Sequence, residues 1–208
     1  PLIVWPYTRH QAGIDISSSI AIEPYPASYA TDAPDAAISN NRATTLATSS
    51  DGKWLVVGDK LGSISSYQWS AADTLSLSSH HQSHQGAVSA LIFEPIGQHF
   101  FSAGTDKKLY RTHVQGDLHP VDRAKASQHS QKITALCISD SRLFTAADDK
   151  IIKSWAFYKG QPNTCKEDLT KTRLLELSSY AEHSALIAIG NDQSLRFIPI
   201  GDPQLANT

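Results

Sequence analysis

Methionine is absent from all 208 residues, and the sequence opens on Pro1. A processed or partial chain is therefore expected. Cysteine is scarce: Cys137 lies in an apolar run and Cys165 in a polar stretch. Two thiols cannot form the multiply bridged frame with which small secreted domains make up for a thin core. The expectation is two free thiols in an intracellular setting, cytoplasmic or nuclear. Long hydrophobic runs are missing too. Nothing approaches the ~20 apolar residues of a membrane-spanning helix, and LIVW at 2–5 is too short for a signal-peptide core. An excess of one charge is also lacking: 18 Lys and Arg face 20 Asp and Glu, for a net charge of −2. That excludes a global pull toward nucleic acid or anionic lipid. What is present is 40% apolar and 18% charged residues, the composition of a chain that can bury a core.

The sequence repeats. LVVGDKLGSISSYQW (55–69), FFSAGTDKKLYRTHV (100–114), FTAADDKIIKSWAF (144–157) and LIAIGNDQSLRFIPI (186–200) each join two apolar runs through a short polar turn. The turn-tip residues Leu61, Asp106, Asp149 and Asp192 are spaced by 45, 43 and 43. Upstream, TTLATSSDGKWL (44–55), AVSALIFEPIGQHF (87–100) and KITALCISDSRLF (132–144) also match, with Leu46, Leu91 and Leu136 each 45 apart. The inner runs LVV, ALIF, ALCI and LIAI do not alternate with polar residues, which suits strands covered on both faces. Turn-formers recur every 8 to 12 positions and no extended 3.6 period appears, so helices are not expected. A sheet of about four strands repeating every ~40–45 residues is a β-propeller blade.

HQGAVSALIFEPIGQHFFSAGTDKKLYRTHV and HSQKITALCISDSRLFTAADDKIIKSWAF resemble WD40 repeats. The resemblance covers most of 42–200 and implies an all-β fold. Residues 1–41 would hold the end of a preceding blade and a Pro/Ala-rich loop. Residues 42–208 would form four WD40-like blades, at about 42–80, 81–125, 126–170 and 171–208. Four blades and a part are fewer than usually close such a ring, so an incomplete arc of a larger, about seven-bladed, propeller is expected. Bulky residues such as Trp54 and Phe100 would then be poorly covered at its ends. The missing blades would come from the same protein or another chain.

The resemblance also implies a buried polar tetrad. The third unit matches it with His129, Thr145, Asp149 and Trp155. The second matches with His84, Ser102 and Asp106, but has Thr112 where tryptophan would stand. The fourth keeps Asp192, with Ala188 and Ile198 at other slots, and the first has Val57, Leu61 and Tyr67. Hence the adjacent carboxylates Asp148 and Asp149 are not read as a catalytic pair. Asp149 would be bound inside the blade, and Asp148 would point outward from the same turn.

Other clusters yield to the repeat. HHQSH (80–84) offers three imidazoles of the kind zinc takes, yet His84 has a place in the second unit, so a solvated loop is expected and no metal. GDKLGS (58–63) lacks the lysine and hydroxyl residue of a phosphate loop, and no GxSxG or HExxH occurs. IEPYPASYATDAPDAA (22–37) reads as a surface connection or a docking loop, and GQPNTCKEDLTK (160–171) as a poorly formed fourth strand. No cofactor is implied.

For function, the resemblance implies a non-catalytic scaffold for protein–protein contact. Its binding rim would carry Lys60, Thr105, Asp148 and Asn191 beside the turn aspartates, and Gln85 and Gln131 before the first strands. Two alternatives are a non-catalytic subunit of an RNA-modifying or RNA-processing complex, with Lys107, Lys108, Arg111 and Arg123 as its basic residues, and a propeller enzyme holding a cofactor or metal in the central channel.

Overall fold

The computed structural model describes residues 2–4, 20–22, 42–70, 75–95, 97–116, 118–120, 129–139, 141–156, 162–163, 172–180 and 185–200. The proline-rich stretch after Ile22, Arg123, Cys165 and most of 160–171 lie outside them. The chain divides into two compact units, Pro1–Ala43 and Thr44–Thr208. In the first, β1 (Leu2–Val4) pairs antiparallel with β2 (Ile20–Ile22).

The second unit is built of four antiparallel sheets in chain order. β3 (Ala43–Thr48), β4 (Trp54–Asp59), β5 (Ser63–Trp69) and β6 (Leu75–Gln82) form the first blade. β7 (Val88–Phe93), β8 (His99–Gly104), β9 (Leu109–His113) and β10 (Leu118–Pro120) form the second. β11 (Ile133–Ser139), β12 (Arg142–Ala147), β13 (Ile152–Ala156) and β14 (Pro162–Asn163) form the third. β15 (Leu174–Tyr180), β16 (Ala185–Gly190) and β17 (Leu195–Pro199) are the described strands of the fourth. β7 packs beside β4, β11 beside β7 and β15 beside β11.

Side chains along a strand point alternately to its two faces, and in blades two and three both faces meet another blade. Phe100 turns into the core between blades one and two, with Trp54, Val56 and Ile64. Its neighbour Phe101 turns into the core between blades two and three, with Leu143 and Trp155. Phe144 then faces blade four, against Leu177 and Leu186. This is why the middle strands read as unbroken apolar runs. It also corrects the expectation for Trp54 and Phe100: both are buried, because they share a junction whose two blades are present.

The exposed apolar surface lies elsewhere. On blade four, Ile189 pairs with Leu195 and Ile187 with Phe197 across the strands. Ile189, Leu195 and Phe197 are 45%, 60% and 61% exposed. By the 43-residue spacing, Ile187, Ile189 and Leu195 occupy the places of Phe144, Ala146 and Ile152, which blade four covers on blade three.

A hydroxyl ties each inner strand to the next. Thr44 donates to Gly58 O and Val88 O at 3.2 and 2.6 Å. Ser89 donates to Ala103 O and Ile133 O at 3.1 and 2.6 Å. Thr134 donates to Ala146 O and Leu174 O at 3.2 and 2.7 Å. Ser89 and Thr134 sit at irregularities in strand register, where a bulge lets one side chain reach two strands. In β15 the slot holds Leu175, which is 52% exposed.

Candidate protein-interaction face

The site is built on the turns that join the second and third strands of each blade. In blade three the Trp155 indole N–H donates to Thr145 Oγ1 at 3.0 Å, and Thr145 Oγ1 lies 2.7 Å from His129 Nε2. His129 Nδ1 is 2.9 Å from Asp149 Oδ2. A carboxylate here only accepts, so Nδ1 carries the proton and Nε2 takes the threonine's. Asp149 also accepts the backbone N–H groups of Ser130 and Ile151. In blade two, Ser102, His84 and Asp106 form the same chain, at 3.0 and 2.9 Å, and Asp106 accepts the N–H groups of Gln85 and Lys108. Burial is the largest single influence on Asp106 and Asp149 and raises the pKa of both, but the hydrogen bonds from His84 and His129 and from the backbone N–H groups together outweigh it and hold both below the usual carboxylate range.

Thr112 fills the tryptophan slot of blade two without reaching the chain, and its buried hydroxyl has no hydrogen-bond partner among the described residues. Thr112→Val keeps the shape and removes that group. The variant is expected to gain about 1 kcal/mol in urea unfolding.

Blades one and four solve the same problem with other residues. In blade four Thr172 stands where His129 stands in blade three. It donates to Asp192 Oδ2 at 2.9 Å, Arg196 donates to the same oxygen at 2.9 Å, and Ser194 donates to Oδ1. Hydrogen bonds from Ser194 and then Thr172 hold Asp192 far below the ordinary carboxylate range. In blade one Asp59 Oδ1 accepts the N–H groups of Leu61 and Ser63 at 2.8 and 2.9 Å. Asp59 lies two residues before the turn tip, so an alignment on the tip passes over it.

Around this buried layer stands a rim of loops. Thr105 N donates to Ala87 O, Asp148 N to Lys132 O and Asn191 N to Arg173 O, at 2.9 to 3.0 Å, fixing each turn to the loop before its inner strand. Lys60, Gln85, Thr105, Gln131 and Asn191 are exposed there. Asp148 differs. Its carboxylate takes the Arg173 guanidinium of the next blade through both Nε and Nη2, with Lys132 Nζ 3.7 Å away. The Arg173 hydrogen bond in particular holds its pKa below the ordinary value. Asp148 is therefore engaged between blades and is not a free binding group.

The histidines of 80–84 diverge. His80 Nδ1 lies 2.8 Å from Ser65 Oγ, and His84 turns to Asp106. Burial moves both His80 and His81 below the usual imidazole range. Among the described residues no group of three or more His, Cys, Asp or Glu could hold a metal ion. Cys137 is buried and its thiol is pushed up to about 11, by burial above all, which makes it a poor nucleophile at neutral pH. Arg111 gives its guanidinium to Glu94 through Nε and Nη2, at 2.5 and 3.0 Å. It does not join Lys107 and Lys108 in a basic patch.

Comparison with known proteins agrees with this architecture. Residues 75–110 match the family described as WD domain, G-beta repeat. The match begins on the outer strand of blade one and runs into the third strand of blade two. Among solved structures, the computationally designed Ika4 protein aligns with a TM-score of 0.63 at 22% identity, covering 78% of this chain and 93% of that one. A comparison with curated proteins gave no match. Residues 75–110 thus match the WD40-repeat family, and the blades of the second unit have the β-propeller fold. Members of that family serve in general as protein-interaction scaffolds and are generally non-catalytic.

Proposed function

We propose that this chain is a non-catalytic scaffold of the cytoplasm or nucleus, which presents the rim of its blades to a loop or peptide of a partner protein. One observation carries the reading. In all four described blades the turn aspartates are occupied by backbone or side-chain donors, while Lys60, Gln85, Thr105, Gln131 and Asn191 stand exposed around them. Loops held on a rigid frame are where binding residues belong. The test is capture of partners from the native source with wild-type chain and with the Gln85→Ala/Gln131→Ala/Asn191→Ala variant. Loss of a reproducible partner supports the rim. An unchanged set of partners contradicts it.

The same proposal includes a further blade on the outer face of blade four, supplied by the same protein or another chain. Three internal junctions of this molecule cover the equivalent face with a blade. Maleimide labelling of a Phe197→Cys variant is expected to be at least about tenfold slower in the native assembly than in the isolated 208-residue chain, since burial denies access to a thiol. Gln193→Cys on the rim is the control and should label equally in both. Equal labelling of Cys introduced at 197 would remove the added blade.

A further inference from the structure

We infer that the partner segment received by this rim is acidic, and that lysines of blades one to three receive it; this rests on the rim reading above. Charge on the rim is sorted by depth. The carboxylates of Asp59, Asp106 and Asp149 turn inward onto backbone N–H groups, and Asp148 is engaged by Arg173 and Lys132. Lys60 and Lys107 are exposed and Lys150 is half-buried. Among the described residues none of these three lysines makes an ion pair, and Lys108 beside Lys107 makes none either. On blades one to three an approaching chain therefore meets ammonium groups before it meets carboxylates, whereas Asp192 of blade four is exposed and paired with Arg196.

A second, independent observation concerns the backbone. The residue after the turn tip is left-handed in every blade: Gly62 at φ 98°, Lys107 at 68°, Lys150 at 67° and Gln193 at 64°. Glycine takes this conformation without strain and other residues do not. Lys107 and Lys150 hold it at a cost to the fold, and strained residues of this kind cluster at binding sites. Glycine in blade one shows that the turn itself does not need lysine. An RNA strand is the less favoured occupant. Arg111 is engaged by Glu94, and the rim residues named here include no aromatic ring on which a base would stack.

The probe is a fluorescently labelled ten-residue glutamate peptide, with a Gly/Ser peptide and a uridine oligomer in parallel, read by anisotropy. The glutamate peptide is expected to bind, and to weaken as salt rises. Lys60→Glu/Lys107→Glu/Lys150→Glu should weaken it about tenfold or more. Lys53→Glu, on the β3–β4 turn and beside Asp51, should leave it unchanged. Lys107→Gly/Lys150→Gly should bind less while melting higher, a pairing that a merely unfolded variant cannot give. No binding, binding indifferent to the triple reversal, or tighter binding of the uridine oligomer would overturn the inference. Partner capture separates it from the reading beneath. Capture lost with the Gln85, Gln131 and Asn191 substitutions but indifferent to the lysine reversal removes only the acidic chemistry. Capture indifferent to both sets removes the rim as well.

Discussion

Asp149→Ala will cost about 3 kcal/mol of folding free energy, because it strands a fully buried imidazole donor together with two backbone N–H groups. His129 and Asp149 side chains are 0% and 4% exposed, so no water takes over the bond. Asp148→Ala, one residue away, is expected to cost about 1 kcal/mol or less, since its partner Arg173 is exposed and solvent screens the pair. Two adjacent carboxylates thus differ severalfold in worth, and urea unfolding of the two variants measures it. The pH dependence follows from the sign of the shift. The folded pKa of Asp149 lies below the ordinary value of 3.8. Its contribution is complete above that value and is lost as pH falls through the lower folded one. The wild type should therefore lose stability below about pH 4 more steeply than Asp149→Ala does. Equal acid sensitivity would mean that the pair contributes nothing to the fold.

Gly62→Ala is expected to be as damaging, at about 3 kcal/mol or more, for a reason of backbone and space. At φ 98° a side chain is strained, and a Cβ would lie 2.2 Å from His84 O and 2.6 Å from Gly86 O. Those carbonyls cannot step aside cheaply. Gly62 O itself accepts the N–H groups of Ser83 and His84 at 3.1 and 3.0 Å, and His84 anchors blade two. The contact is where blade one is locked to blade two. Gly52→Ala is the control: φ is 69°, but a Cβ there meets nothing within 4 Å, so only the backbone strain of about 1 kcal/mol remains. Hydrogen exchange should show β4 and β5 opening more readily in Gly62→Ala, while β12 and β16 stay protected.

Much of the fold could be read from the sequence, since a strand buried on both faces is written as paired apolar residues. Phe100 with Phe101 and Leu143 with Phe144 mark the junctions directly, and the 45- and 43-residue spacings set the order of the blades. His84 and Asp106, like His129 and Asp149, meet in space because each offset spans the same two strands, β7 and β8 in one blade and β11 and β12 in the other. What escaped the sequence depends on contacts that no fixed offset encodes. Asp148 and Arg173 are 25 residues apart and meet only because neighbouring blades bring their turns together. Thr172 and Arg196 give Asp192 the donors that an imidazole gives Asp106 and Asp149, so residue type gave no cue. Asp59 stands two positions from the expected place. The apolar face of blade four is visible only as exposure, because Ile189 and Leu195 look in sequence like the buried residues they correspond to. The hydroxyls of Thr44, Ser89 and Thr134 were legible in retrospect: they recur every 45 residues inside apolar runs.

The central claim is that the repeated polar residues are consumed in holding the blades together. A double-mutant cycle on His129→Ala and Asp149→Ala, read by urea unfolding, tests it most directly. The account predicts a coupling energy of at least about 1 kcal/mol, the second substitution costing far less once the first is made. Costs that add to within about 0.3 kcal/mol would show two side chains that do not hold one another, and would contradict it.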